Sequence, residues 1–126
     1  MIWHLALPED WLAQAPTGSY RVSTRGMSLD EVGFIHCSRS NQIEGVAQRF
    51  YSDLDELLML EIDEAAIESS IIDEPPAPGV DEMFPHIYGP IPTTAVVNVR
   101  QWRRTSGVWE LPDQGPENTP VLSPSR

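Results

Sequence analysis

Three histidines along this chain each occupy a setting that could hold a reactive imidazole: His4 in "IWHLA", His36 in "GFIHCS" and His86 in "MFPHIYGP". An imidazole changes charge near neutral pH, so it serves as acid, base or hydrogen-bonding group. Beside His36 stand the only cysteine, Cys37, and Ser38. Strand alternation through this motif puts Phe34, His36 and Ser38 on one face, and Gly33, Ile35 and Cys37 on the other. Cys37 and His36 therefore point apart, which breaks a Cys–His nucleophilic pair within the motif. Cys37 reads instead as a small buried hydrophobe. His86 falls where proline and glycine fix the backbone, a setting that suits a side chain positioned on a loop. Plainer readings stay open: His4 and His36 as core or edge residues with one hydrogen bond, and His86 as a turn residue bonded to backbone.

Three histidines plus water is a known catalytic zinc arrangement. The spacings of 32 and 50 residues match no compact ligand motif, so no metal ligand is assigned. All eight basic residues are arginines. Without lysine the chain has no Schiff-base chemistry and no P-loop. A bound anion is then held by arginine, by a backbone N–H or by a protonated histidine. A strand ending at Ser38 and Arg39 and opening into a helix offers such N–H groups, with Arg39 at the mouth and Arg49 further along. An ordinary strand-to-helix connection is the competing reading. The acid runs "DLDE", "EIDE" and "VDE" read as solvated faces.

The elements that must position these groups follow from local pattern. "IWHLALP" reads as a strand with Ile2, His4 and Ala6 on one face and Trp3, Leu5 and Leu7 on the other. "PEDWLAQA" reads as a short helix, with Pro8 in its first turn and acids following. "YRVSTRG" is a strand or extended loop. In "SRSNQIEGVAQRFYSD", Ile43, Val46, Ala47 and Phe50 recur at helical spacing behind a Ser40 or Asn41 cap. "EAAIESS" gives one helical turn and "IIDEPP" a short strand. "DELLMLEID" is apolar enough for a central strand covered on both faces. "PAPGVDE" is a loop, and the three prolines of "MFPHIYGPIPTTA" predict irregular backbone. "AVVNVRQWRR" is a strand, and "VWELP" pairs back on it after the "TSG" turn.

The chain has 126 residues and a net charge of −11 from 19 acids and 8 bases. That length supports one domain with its own core. The charge repels nucleic acid and anionic membranes, so no general nucleic-acid partner and no membrane are expected. One cysteine allows no internal disulfide. The N-terminus lacks a basic region, and no apolar run reaches the roughly 20 residues of a spanning helix. The chain is read as cytoplasmic. Strands in succession around one good helix predict a single α+β domain over residues 1–112, with a twisted, mostly antiparallel sheet and few helices. Residues 113–126, rich in Pro and Ser, are expected to form a disordered tail.

Together, "IWHLA", "GFIHCS", "VAQRFY", "LLMLEID" and "FPHIYGPIPTTAVVNV" resemble a small bacterial family catalogued as domain of unknown function 952, from residue 2 to about 103. A more distant similarity is to the ADP-ribosyltransferase superfamily, including its RNA 2′-phosphotransferases. That resemblance implies an ADP-ribosyltransferase-like core with NAD, or a related small-molecule nucleotide, as cofactor. By that correspondence His4 contacts a ribose, while His36 and Ser38 line the nicotinamide side. Arg49 reaches a phosphate, and Tyr88 joins the binding residues. His86 and His36 are the catalytic candidates. The late glutamate of many such transferases has no counterpart assigned in this chain. The implied function is nucleotide binding with ADP-ribosyl-type transfer. Two alternatives stand beside it: a non-catalytic small-molecule or protein-interaction module, and a metal-dependent hydrolase built on the histidines.

Overall fold

The near-continuous apolar run at 56–62 forms the strand around which the rest is laid. The computed structural model describes residues 1–110. In chain order the elements are β1 (Ile2–Ala6), α1 (Pro8–Gln14), β2 (Ser19–Tyr20), β3 (Val22–Thr24), β4 (Met27–Ser28) and α2 (Leu29–Val32). They continue with β5 (Ile35–His36), α3 (Ile43–Phe50), β6 (Glu56–Ile62), β7 (Ile71–Glu74), β8 (Phe84–Ile87), β9 (Ile91–Pro92) and β10 (Val96–Arg103). The result is a small single-domain α+β fold whose strands all pair antiparallel. The domain boundary expected at residue 112 and the tail after it lie outside the described residues. Among the described residues, no helix is long and apolar enough to cross a membrane.

Strand β6 is central in the sheet β1–β6–β10, and its two faces serve two cores. Leu58, Leu60 and Ile62 join Ile2, Ala6 and Trp11 on one side. Leu57 and Met59 meet Ile43, Ala47, Trp102 and Trp109 on the other. Each large apolar side chain buried this way contributes roughly 1.5–3 kcal/mol. The amphipathic face expected of α3 lies in that second core, although the helix begins at Ile43, after a 3-10 turn over Ser40–Gln42. No side chain of Ser40 or Asn41 caps it. Instead the Gln42 side chain accepts from the Arg39 N–H at 2.8 Å.

A second sheet, β5–β8–β7, corrects the expectation of irregular backbone around His86. Residues 84–87 form its middle strand despite Pro85. The Pro85 carbonyl still accepts from the Cys37 N–H at 3.0 Å. The N–H that proline lacks falls at the rung where β5 ends, so one ladder bond is lost rather than the strand. The two sheets are joined through Trp3 and Ser38. Trp3 donates to the Ser38 carbonyl at 2.9 Å, and Ser38 donates to the Trp3 carbonyl at 2.7 Å. The expected pairing of 108–112 on β10 reduces, among the described residues, to one bridge between Thr105 and Val108. Gly89 follows β8 with Ser69 so close that a Cβ there would lie 1.9 Å from its Oγ.

Candidate functional site

The junction of the two sheets shapes the site. Next to the Trp3–Ser38 rung, the His4 ring reaches across to β5, and its Nδ1–H donates to the His36 carbonyl at 2.6 Å. A carbonyl can only accept, so the hydrogen sits on Nδ1, and Nε2 of the neutral ring is an acceptor. His4 is 2% exposed, and Nε2 is buried with no partner among the described residues. Burial lowers the pKa of His4 to about 4, opposed by the bond to the His36 carbonyl and aided by the nearby His36 ring. His4 is therefore neutral at pH 7. Its ring also packs edge-on against Tyr20, at 5.2 Å between centroids.

His4 and His36 open onto one cleft of about 390 Å³, which also takes Leu5, Cys37 and Ser38 from the same pair of strands. The end of α3 supplies Val46, Arg49 and Phe50, followed by Tyr51. Ser23 and Thr24 of β3 close one end. The cleft is lined further by Phe84 with Pro76, Ala77 and Val80 of the proline-rich strap joining β7 to β8. Of the residues expected to form a pocket, His4, His36, Ser38 and Arg49 thus meet in this cleft. Ser23, Thr24, Tyr51 and the strap carried no signal of their own. Only pairing of distant strands brings them to it.

His86 and Tyr88 lie elsewhere. In register His36 pairs with His86, so their side chains share one face of the second sheet, with ring centroids 4.9 Å apart, edge to face. His86 is nevertheless fully buried behind His36, stacked on Phe34 at 4.1 Å, and does not line the cleft. Its Nδ1 bonds the Glu74 carboxylate at 2.8 Å, and the Tyr88 hydroxyl donates to the same oxygen. Those two hydrogen bonds, Tyr88 first, hold the Glu74 carboxyl below its usual range. Glu74 carries no signal in the sequence beyond its place in the short strand "IIDEPP". Its role appears once β7 pairs with β8. For His36, burial first and His86 second lower the pKa to about 4.

Of the two readings of the segment before α3, the ordinary strand-to-helix connection holds and the anion site is not built. Ser38 N–H is spent on Trp3, and Arg39 N–H on Gln42. The Arg39 guanidinium is paired with Glu64 at 3.2 Å and Asp73 at 3.0 Å. Cys37 is the buried hydrophobe expected of it, and burial raises its pKa. Among the described residues no three His, Cys, Asp or Glu side chains are placed to hold a metal. The ligand set a histidine-based hydrolase needs is not assembled among them, since His86 does not line the cleft that His4 and His36 share. At neutral pH the walls offer uncharged imidazoles, hydroxyls, aromatic faces and the guanidinium of Arg49. This surface binds and orients better than it transfers protons.

A family model described as "Protein of unknown function (DUF952)" matches residues 5–99. No curated protein matches the chain. Among solved structures, the crystal structure of CC0527 from Caulobacter crescentus superposes with a TM-score of 0.73 at 22% identity, covering 87% of this chain and 93% of that one. The crystal structure of a double mutant of CC0527 gives 0.73 at 23% identity with the same coverage. The solution structure of CC0527 gives 0.72 at 23% identity, covering 92% of this chain and 97% of that one. At this level of identity the likeness shows a shared fold.

Proposed function

The chain belongs to the DUF952 family of proteins of unknown function, and from that premise we propose that its cleft binds a nucleotide, NAD or a related one. The carrying observation is the unpartnered Nε2 of His4, locked as an acceptor by the bond from Nδ1 to the His36 carbonyl. A buried acceptor left without a donor costs about 1–3 kcal/mol. A ribose hydroxyl supplies the donor and recovers that cost. Ser38 adds a hydroxyl to the same cleft, while Phe50 and Phe84 offer flat apolar surface for a ring. The cleft is near the lower end of the roughly 300–1,000 Å³ of small-molecule sites. The resemblance of "IWHLA" and "GFIHCS" to ADP-ribosyltransferase strands agrees with this use of His4.

A second reading, in which the bound nucleotide gives up its ADP-ribosyl group, is favoured by one observation. Tyr88, Glu74 and His86 run from the surface to the back of His36. In that reading the glycosidic C–N bond breaks, nicotinamide leaves, and the acceptor's oxygen bonds the ribose carbon while its proton passes to His36. With a pKa near 4, His36 is a weak base for this step, so binding alone is the better supported of the two.

The test is an NMR titration of the histidine ring nitrogens with NAD, ADP-ribose and nicotinamide, run beside thermal shift. Binding at His4 moves the Nε2 resonance toward that of a hydrogen-bonded acceptor and raises the melting temperature. No movement and no shift at millimolar ligand would refute the reading. Release of nicotinamide that is lost in His36→Gln, with binding retained, would promote the transfer reading.

A further inference from the structure

We infer that the occupant of the cleft carries a single anionic group held by Arg49, so that a nucleoside monophosphate fits it better than a di- or triphosphate. This rests on the nucleotide reading and narrows it to one chemical class, a nucleoside monophosphate in place of NAD. In a chain with 19 acidic residues, no Asp or Glu is among the described residues lining the cleft, and Arg49 is its one permanently charged residue. The other ionisable walls are neutral at pH 7. Burial lowers the pKa of His4 and His36 and raises that of Cys37 and Tyr51.

Arg49 sits in the last turn of α3, exposed at the mouth, with its guanidinium 5.9 Å from the Phe50 ring centroid. His4, 2% exposed with its Nε2 unpartnered, is among the most buried of the lining residues. A ligand that satisfies both has a hydroxyl or N–H donor at one end, an anion at the other and a largely uncharged body between. A guanidinium pairs well with one phosphate or carboxylate through its planar fork.

Among the described residues, a second phosphate would find no further arginine lining the cleft. Arg25 approaches the site through the ring of Tyr51, at 5.9 Å, but both its terminal nitrogens are on Asp53, at 2.7 and 2.6 Å. Arg39, one residue beyond Ser38, is divided between Glu64 and Asp73. The rest of the surface carries the excess of acids, so each added phosphate meets repulsion instead of a partner. The size points the same way. A cavity of about 390 Å³ takes one nucleoside and its phosphate, and the other half of a dinucleotide stays outside.

The experiment is calorimetric titration of the full chain with adenosine, AMP, ADP and ATP, with benzoate and benzamide as a non-nucleotide pair, repeated on Arg49→Gln. AMP is expected to bind about tenfold tighter than adenosine, ADP and ATP to bind no tighter than AMP, and Arg49→Gln to erase the gap between AMP and adenosine. Affinity rising stepwise from AMP to ATP, or an AMP preference that survives Arg49→Gln, overturns the charge assignment and leaves nucleotide binding standing. Equal binding of adenosine and AMP does the same. Benzoate binding that depends on Arg49, with no nucleoside or nucleotide bound, supports the charge assignment and removes the nucleotide reading. Silence from every probe removes both.

Discussion

His4 illustrates how a single side chain can be legible in type and illegible in destination. Its place on one face with Ile2 and Ala6 follows from strand alternation. Its bond to the carbonyl of His36, 32 residues away, depends on two sheets meeting and leaves no local mark. Glu74 was hidden for the same reason, since its partners His86 and Tyr88 arrive only with strand β8. The burial of His4 carries a consequence for stability. Its pKa is about 4 in the fold against 6.5 in the open chain, so between those values the unfolded state binds more protons than the native one. Stability is complete above about pH 6.5 and is lost as pH falls toward 4, by roughly 3 kcal/mol from this residue. His36 acts in the same direction and window, with a smaller effect because it is partly open to solvent. Asp53, lowered to about 2 by its bonds from Arg25, belongs to a more acidic range. Urea unfolding followed from pH 7.5 to 4 should therefore show a steep loss, and His4→Gln, which cannot take the proton, should flatten that slope while lowering stability at neutral pH. An unchanged slope in the variant would remove His4 as the cause.

At the scale of elements, local signals worked where one segment decided its own structure. Pro8 with Glu9 and Asp10 marks α1 as it was read. "SLDE" carried a legible start signal that was passed over: Ser28 accepts from the Glu31 N–H at 3.2 Å, and Glu31 accepts from the Ser28 N–H at 2.8 Å. That reciprocal pair is a capping box, and Gly33 ends the short helix at φ 100°. The prolines around His86 misled because proline is costly in a strand only where its N–H is wanted. The strap at 75–83 is the element that walls the cleft without being part of a sheet. Its far end is fastened by the Gln42 amide, which donates to Glu82 at 3.0 Å and to the Met83 carbonyl at 2.7 Å. The same side chain holds the Arg39 N–H. Gln42→Ala removes three hydrogen bonds, each contributing about 1 kcal/mol, and frees one end of that wall. Hydrogen exchange should quicken across 75–83 with little change in β6, and ligand affinity should fall. Unaltered protection in the strap would show that Phe84 and the proline backbone hold it without Gln42.

For the molecule as a whole, β6 decides whether the two cores stand or fall together. "DELLMLEID" announced a strand covered on both faces, and alternate residues of that run do enter separate clusters. The division of the remaining strands into the sheet β5–β8–β7 and the short pairs β2–β9 and β3–β4 was not visible, because β5 pairs for only two residues and the segment after it joins β1 through a single rung. A fold stitched so lightly could open in halves, yet neither core has a free-standing strand. Leu58, Leu60 and Ile62 cannot leave the Trp11 side without carrying Leu57 and Met59 out of the Trp102 side, since all five share one backbone. The second cluster is also fixed to the end of α3 through Trp109, whose Nε1–H donates to the Tyr51 carbonyl at 2.9 Å. Unfolding should therefore be two-state, as expected of a domain this small. Tryptophan reports on each face separately: Trp11 is in one cluster, Trp102 and Trp109 in the other. A variant keeping only Trp11 and one keeping only Trp102 and Trp109, with phenylalanine elsewhere, should each show a fluorescence midpoint in urea that matches its own far-UV circular dichroism midpoint. Two midpoints within one variant would mean that β6 does not couple the faces, and that the Trp11 side and the Trp102 side open independently.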